Sequence, residues 1–280
     1  MPIPAYNNVT LPSMMYGTAW KEGNTSKLVK LAVDTGFTAI DTANQLIHYQ
    51  EAMVGDALLE LQKNGIKRES LFLQTKFTTK DGQDHRTPYD ASADLTTQVK
   101  QSFQSSLEHL HTDYLDSYVL HGPHSRRGLL KEDWEVWHAI EDLYESGKTK
   151  IIGISNVNAD QLTELCAKAR VKPMVVQNRC YASMGWDYNV REICKNQNLI
   201  YQGFSLLTAN INVVRSFPVR RIAERLRATP AQVIFRFCMQ IGMLALTGTT
   251  NQQHMEEDLQ SETFELAPAE IDLLEQTAVQ

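Results

Sequence analysis

Eight short apolar runs, separated by stretches of helical periodicity, constrain the fold of this chain more than any other feature. The runs lie at residues 14–17, 38–41, 71–76, 114–121, 151–155, 174–177, 200–205 and 244–247. Runs that lack alternation are typical of strands buried on both faces, and strands that alternate with helices form parallel sheets. The first helical pattern stops at Gly36, where a helix would end. We therefore predict an α/β fold, a (β/α)8 TIM barrel.

The length and composition predict one domain that spans residues 1–280. The chain has 280 residues, of which 42% are hydrophobic, and single-domain α/β barrels commonly have this length. No low-complexity segment and no linker-like change of composition divides the sequence.

Charge and hydropathy argue against several classes of partner. The formal net charge is −6 and lysine and arginine form no block, so we expect no nucleic-acid partner. No apolar stretch has the length of a membrane span, and the N-terminal residues do not resemble a signal peptide. The four cysteines lack C-x-x-C spacing and are interpreted as buried, reduced thiols. These features predict a cytoplasmic protein without a membrane partner, and we expect a monomer.

Polar residues with useful chemistry stand at the ends of four runs. They are Asp41, Lys76, His121 and the pair Ser155-Asn156. In a parallel barrel the carboxyl ends of the strands meet at one face, where functional side chains collect. An Asp, a Lys and a His from successive strands, with tyrosine close after the Asp, suit proton transfer beside a bound cofactor. The pattern favours a reductase.

These residues stand in segments that resemble those of the aldo-keto reductase superfamily, namely FTAIDTA, FLQTK, YLDSYVLHGP and IGISNVN. The resemblance extends from GTAW in the first run to the helical pattern that ends at Leu259. It implies an eight-stranded barrel that reduces aldehydes and ketones with a nicotinamide cofactor, usually NADPH, without a Rossmann fold. In agreement, no G-x-G-x-x-G motif opens a helix in the sequence. The resemblance makes Asp41, Lys76 and His121 catalytic and a small carbonyl compound the substrate.

The catalytic tyrosine is displaced relative to the family pattern. The usual spacing after the aspartate leads to Leu46, because extra residues precede the segment 51–55 that normally follows the tyrosine. Counting back from that segment leads to Tyr49, with His48 beside it. We assign the proton donor to Tyr49 and keep His48 as the alternative.

Carbonyl reduction delivers hydride to carbon and a proton to oxygen, which explains the residue types. An unperturbed tyrosine has a pKa of about 10, and the ammonium of Lys76 is expected to lower it. Asp41 is expected to hold Lys76 charged and in place. His121 is expected to hydrogen-bond the substrate oxygen and position it.

The resemblance also implies a set of cofactor-binding residues. Ser155, Asn156 and Gln177 match the residues that hydrogen-bond the nicotinamide carboxamide, and Phe204 stands where a stacked tyrosine is usual. The full predicted set is Gly17, Thr18, Ser155, Asn156, Gln177, Phe204, Ser205, Leu207, Gly248, Thr249, Thr250 and His254.

The segment after the eighth run departs from the pattern of NADPH-dependent relatives. Gly248 and Thr249 replace a Lys-Ser pair, His254 replaces an Arg, and Asp258 replaces an Asn. Without the usual lysine and bidentate arginine, we expect NADPH with a weakened preference, so that NADH is possible. The arginines at 215, 220 and 221 either compensate or form a solvated helix face.

Trp20, His48 and Phe77 are predicted to line the substrate pocket. The polar segment 77–95 is too long for a minimal connection and either covers the substrate or forms a solvated loop. Two other functions stay open. One is a nicotinamide-binding regulatory or scaffold protein with little turnover. The other is a metal-dependent hydrolase, although one strand end alone offers a histidine and no metal is predicted.

Overall fold

A closed barrel of eight parallel strands forms the centre of the protein in a computed structural model that describes residues 6–7, 9 and 11–277. The strands are β1 (Met14–Gly17), β2 (Ala39–Asp41), β3 (Phe72–Phe77), β4 (Leu115–Leu120), β5 (Thr149–Ser155), β6 (Val175–Arg179), β7 (Ile200–Phe204) and β8 (Met243–Thr247). Each strand pairs with its neighbour in sequence, and β1 closes the barrel by pairing with β8. The predicted fold class is confirmed.

The α-helices of the described residues surround the barrel. They are α1 (Thr25–Thr35), α2 (Glu51–Lys63), α3 (Leu95–His109), α4 (Lys131–Glu145), α5 (Ala159–Lys168), α6 (Tyr188–Gln197), α7 (Ile211–Val214), α8 (Phe217–Leu226), α9 (Pro230–Gln240), α10 (Gln252–Gln260) and α11 (Pro268–Gln276). As predicted, α1 ends at Gly36, whose φ of 123° suits a residue without a Cβ. None of the described helices is long and apolar enough to cross a membrane.

All eight predicted strands form, with ends that differ by at most two residues. The largest difference that matters for the site is in β6, which continues past Gln177 to Arg179. The polar residues at the end of β6 did not suggest a strand. Asn178 points outward from the barrel, where its Nδ2 donates to the Val157 backbone oxygen at 2.7 Å. Arg179 therefore points into the barrel mouth, two residues beyond Gln177.

The barrel interior is layered, because alternate residues of each strand point inward. A lower apolar layer includes Ala39, Phe72, Ile151, Val175, Ile200 and Leu244. Two residues further along four strands lies a polar layer, here called the glutamine layer, made of Asp41, Gln74, Gln177 and Gln202. A larger apolar core fills the space between the barrel and the helices.

The glutamine layer is closed by side-chain hydrogen bonds across the barrel. Gln74 Nε2 donates to Asp41 Oδ1 and to Gln202 Oε1, both at 2.8 Å. Gln177 Nε2 donates to the same two oxygens, at 3.1 and 2.9 Å. Because buried amides without partners are costly, this network fixes the floor on which the site stands.

Candidate active site

A cavity of about 1150 Å³ opens at the carboxyl ends of the strands. The strand ends and the loops that follow them supply its walls, as expected for a barrel of this type. Most of the predicted site residues line it: Gly17, Trp20, Asp41, His48, Tyr49, His121, Ser155, Asn156, Gln177, Phe204, Ser205, Leu207, Gly248, Thr249 and His254.

Phe77 does not line this cavity, contrary to the sequence-based prediction. Its side chain is fully buried in the outer core, where its ring lies 5.6 Å from that of Tyr89. The reason is the alternation of strand β3: Lys76 points into the barrel, so the next residue points out.

Two predicted cofactor residues also lie away from the cavity wall. Thr18 is fully buried, and its hydroxyl donates to the backbone oxygen of Asp41 at 3.0 Å. Thr250 is exposed beyond the lining residues. The first supports the strand end that carries Asp41, and the second does not line the cavity.

Lys76 lies beneath the cavity as a fully buried cation paired with Asp41. Its Nζ donates to both carboxylate oxygens at 2.7 Å and to the Thr42 backbone oxygen at 2.8 Å. Burial lowers the pKa of Lys76, while Asp41 and then Glu51 act to raise it. A buried ammonium is stable only with such partners.

Tyr49 covers this pair. The Lys76 Nζ lies 5.3 Å from the centre of the Tyr49 ring, and the His121 ring meets the Tyr49 ring edge-on at a centroid distance of 5.9 Å. The structure thus brings Asp41, Tyr49, Lys76 and His121 together.

His48 lies further out. Its ring packs against Trp20 at 4.1 Å, and its Nδ1 lies 2.7 Å from Gln45 Oε1. Trp20 is 66% exposed.

The pKa of Tyr49 shifts in the direction opposite to the one expected. Burial raises it, the nearby Asp41 carboxylate raises it further, and Arg179 lowers it. Tyr49 is therefore a neutral phenol throughout the physiological pH range.

His121 is held by Thr78, a residue that was not predicted. The Thr78 hydroxyl oxygen lies 2.6 Å from Nδ1 of the imidazole. Burial, then the charge of Lys76 and that of His48, lower the pKa of His121 to about 3. The imidazole is neutral at physiological pH, and its Nε2 makes no hydrogen bond within the described residues.

Ser155, Asn156 and Gln177 form a linked group at the ends of β5 and β6. The Ser155 hydroxyl donates to the Gln177 backbone oxygen at 2.6 Å, and Asn156 Nδ2 donates to the His121 backbone oxygen at 2.8 Å. Asn156 has a φ of 55°, a left-handed conformation that asparagine tolerates better than most residues. The bend turns the chain away from β5 at the cavity wall.

Phe204 presents an aromatic ring to the cavity at the end of β7. It is partly buried, and the Arg179 guanidinium lies 5.5 Å from its ring centre. The two residues are register partners on neighbouring strands, so both side chains point into the barrel mouth. Ser205 follows with a φ of 58° and leads into the loop that carries Leu207 along the cavity.

Beside the far end of the cavity, beyond β8, lies a cation that was also not predicted. The ammonium of Lys21, which is nearly buried, donates a hydrogen bond to the Gly248 backbone oxygen. A Cβ on Gly248 would lie 3.3 Å from this nitrogen. Lys21 thus reaches the place where the sequence lacks the usual lysine.

The same end of the cavity also contains a carboxyl group with a raised pKa. Asp258 is buried and accepts from the Thr247 hydroxyl at 2.7 Å. Burial raises the pKa of Asp258 to about 6, against smaller lowering effects of Thr247 and His254. Thr249 Oγ1 lies 3.5 Å from His254 Nδ1. The arginines at 215, 220 and 221 are not among the residues that line the cavity.

The first part of the 77–95 segment forms a cavity wall and is anchored to the loop after β2. Thr78, Thr79, Asp81 and Gly82 line the cavity. Gln45 Nε2 donates to the Gly82 oxygen at 2.6 Å, while residues 85–86 are exposed. One part of the segment therefore lines the cavity, and another part is an exposed loop; that the segment covers the substrate stays a prediction.

The chain is similar to proteins of one family over almost its whole length. A family model described as the aldo/keto reductase family matches residues 13–278. Glyoxal reductase of Bacillus subtilis (strain 168) is 30% identical over 275 residues, which cover 98% of this chain and 91% of that protein. The 9,11-endoperoxide prostaglandin H2 reductase of Trypanosoma cruzi (strain CL Brener) is 27% identical, with coverage of 96% and 88%.

Solved structures agree in fold. An aldose reductase from Schistosoma japonicum superposes with a TM-score of 0.85 at 24% identity, covering 100% of this chain and 93% of that one. An aldo/keto reductase from Brucella melitensis gives 0.82 at 25% identity, with 99% of each chain covered.

Proposed function

The chain belongs to the aldo/keto reductase family, and from that premise we propose that it reduces an aldehyde or ketone to an alcohol with a nicotinamide cofactor. One observation carries the proposal: the buried Lys76–Asp41 pair lies directly beneath the Tyr49 ring at the cavity floor. Such a pair is costly to bury, and a role in handling a proton explains its position.

The cavity fits a nicotinamide dinucleotide. Its volume of about 1150 Å³ exceeds the roughly 300–1,000 Å³ of ordinary small-ligand pockets, which leaves room for a dinucleotide beside a substrate. When bound, the reduced nicotinamide supplies the hydride. Ser155, Asn156 and Gln177 would hold the carboxamide, and Phe204 would stack on the ring. The loop from Ser205 to Leu207 would follow the diphosphate.

Tyr49 would donate the proton. Its raised pKa keeps the phenol protonated, and an acid must carry its proton when the carbonyl arrives. If the Thr78 hydroxyl donates to Nδ1 of His121, the neutral imidazole presents Nε2–H to the cavity. That N–H would hydrogen-bond the carbonyl oxygen and orient it toward Tyr49. Lys76 would stabilise the phenolate left after the transfer.

NADPH is the proposed cofactor, with NADH as a weaker alternative. Lys21 offers a positive charge beside Gly248, and Thr249 and His254 offer hydrogen-bond partners near the N-terminus of α10. Glu257 and Asp258 line the same end of the cavity and oppose a phosphate. We expect NADPH to bind more tightly than NADH by a modest factor. A monomeric state and a cytoplasmic location also stay proposals.

The test is NADPH oxidation with a panel of aldehydes by the wild type, Tyr49→Phe and His48→Ala. We expect reduction by the wild type and a loss of about 10²–10⁴-fold in turnover for Tyr49→Phe, with the cofactor dissociation constant nearly unchanged. A loss confined to His48→Ala would assign the proton to His48. Cofactor binding without turnover on any aldehyde would favour the scaffold function. No cluster of three His, Cys, Asp or Glu side chains in the described part of the chain could hold a metal ion.

A further inference from the structure

Arg179 is a cation at the mouth of the barrel without an ion-pair partner among the described residues. Of the lysines and arginines in the described ranges, it alone belongs to the residues that line the cavity. Its side chain is exposed, and no described carboxylate lies within ion-pair distance of it. Its guanidinium lies 5.5 Å from the centre of the Phe204 ring. A guanidinium in this situation is available to an anionic ligand.

The position of Arg179 relates it to the reacting end of the cavity. Gln177, two residues earlier on β6, lies in the glutamine layer. The register partner of Arg179 on β7 is Phe204. The charge of Arg179 also acts on Tyr49, whose pKa it lowers. Lys21 does not line the cavity, and its ammonium is bound to the Gly248 backbone oxygen.

Among the described residues, no carboxylate of β6 or β7 lines the cavity beside Arg179. Four carboxylates line the cavity: Asp41, which is paired with Lys76, Asp81 from the loop after β3, and Glu257 and Asp258 from α10. Of the four histidines of the wall, His48, His121 and His124 lie on the β2 and β4 sides of the cavity, and His254 lies on α10. An anion that enters beside Phe204 therefore meets one permanent positive charge.

We propose that Arg179 binds a carboxylate on the carbonyl substrate, so that the enzyme prefers oxo acids and carboxylate-bearing aldehydes to their neutral analogues. The proposal rests on the proposed carbonyl reduction and adds the substrate class. The planar guanidinium can accept a carboxylate through two parallel hydrogen bonds, which would orient the substrate as well as attract it.

The experiment compares 4-carboxybenzaldehyde with its methyl ester, an aldehyde of the same shape without the charge. The measured quantity is the ratio of kcat/KM for the acid over kcat/KM for the ester. We expect Arg179→Gln to lower this ratio about 10- to 100-fold. Arg179→Lys, which keeps the charge and loses the planar fork, should give an intermediate ratio. Arg127→Gln, an exposed arginine outside the cavity wall, is the matched control and should leave the ratio unchanged.

Each outcome is distinguishable from a failure of the proposed function. Reduction of the neutral ester by the wild type tests carbonyl reduction itself, and the ratio tests Arg179. A ratio that is the same in the wild type and in Arg179→Gln would overturn the proposal. An unchanged ratio with a weaker NADPH dissociation constant would overturn it too, and would assign the guanidinium to the cofactor phosphates.

Discussion

The hydroxyl oxygen of Thr78 lies 2.6 Å from Nδ1 of His121. This contact connects the wall formed by the loop after β3 to the histidine at the end of β4. It orients the ring so that Nδ1 faces Thr78, while Nε2 has no hydrogen-bond partner among the described residues. Thr78 is therefore best described as a positioning residue that acts through His121.

Thr78→Val should lower kcat, because the imidazole loses the partner that selects its orientation. A neutral hydrogen bond contributes about 0.5–1.5 kcal/mol, so we expect a fall of roughly 2- to 12-fold, with a smaller change in KM. Thr78→Ser keeps the hydroxyl and should retain most of the turnover. If both variants lose the same activity, packing of the methyl group rather than the hydrogen bond is responsible.

Lys76→Met should abolish turnover and destabilise the protein. The change leaves the Asp41 carboxylate buried without its cation, and breaking a buried pair costs about 3–5 kcal/mol. Urea unfolding measures this loss. The double variant Lys76→Met with Asp41→Asn removes the unpaired charge and should recover stability without recovering activity. Wild-type turnover in Lys76→Met would contradict the role given to the pair.

Asp258→Asn should stabilise the protein above pH 6 and have little effect near pH 4. The folded pKa of Asp258 is about 6, above the usual 3.8. Between these values the folded state keeps a proton that the unfolded state has released, so wild-type stability falls as pH rises through this window. Asparagine has no such proton, and its oxygen can still accept from Thr247.

The gain at pH 8 should therefore be about 1–3 kcal/mol, since one pKa unit corresponds to about 1.4 kcal/mol. Urea unfolding of both proteins at pH 4, 6 and 8 measures it. A difference between the two proteins that does not change with pH would show that burial of the charge is not the cause.

His254→Arg should tighten NADPH without tightening NADH. An arginine at this point of α10 can form a charge-assisted contact with the additional phosphate, which contributes about 1.5–3 kcal/mol, roughly tenfold or more in affinity. Gln253→Arg adds the same charge one residue earlier, at an exposed position outside the cavity wall. Equal tightening by both variants would indicate a general effect of charge rather than a specific contact.

The sequence predicts the fold well because the apolar runs and helical patterns agree along the whole chain. It predicts the site less completely, and the omissions share a cause. Gln74 and Thr78 lie two residues to either side of Lys76, and Arg179 lies two residues after Gln177. Residues two apart on or just beyond a strand tend to share a face, so the period of two could have found them. The same rule places Phe77 outside the barrel.

Other features depend on contacts that no local pattern encodes. Lys21 follows the first strand and Gly248 follows the last, and their contact depends on closure of the barrel between β1 and β8. The raised pKa of Tyr49 results from burial together with the charge of Asp41. Residue types alone suggested the opposite shift, because the sequence does not show how completely the Tyr49 phenol is buried.

The glutamine layer joins two halves of the chain that have different proposed roles. The side chains proposed to handle the proton, from Asp41 to His121, are all encoded before β5, and the proposed nicotinamide contacts begin with Ser155. The bonds from Gln74 to Gln202 and from Gln177 to Asp41 join these halves. A chain severed between β4 and β5 would give one fragment with the acid and another with the nicotinamide contacts, each with an open floor. Reassembly of the fragments would restore the floor and the site in the same step.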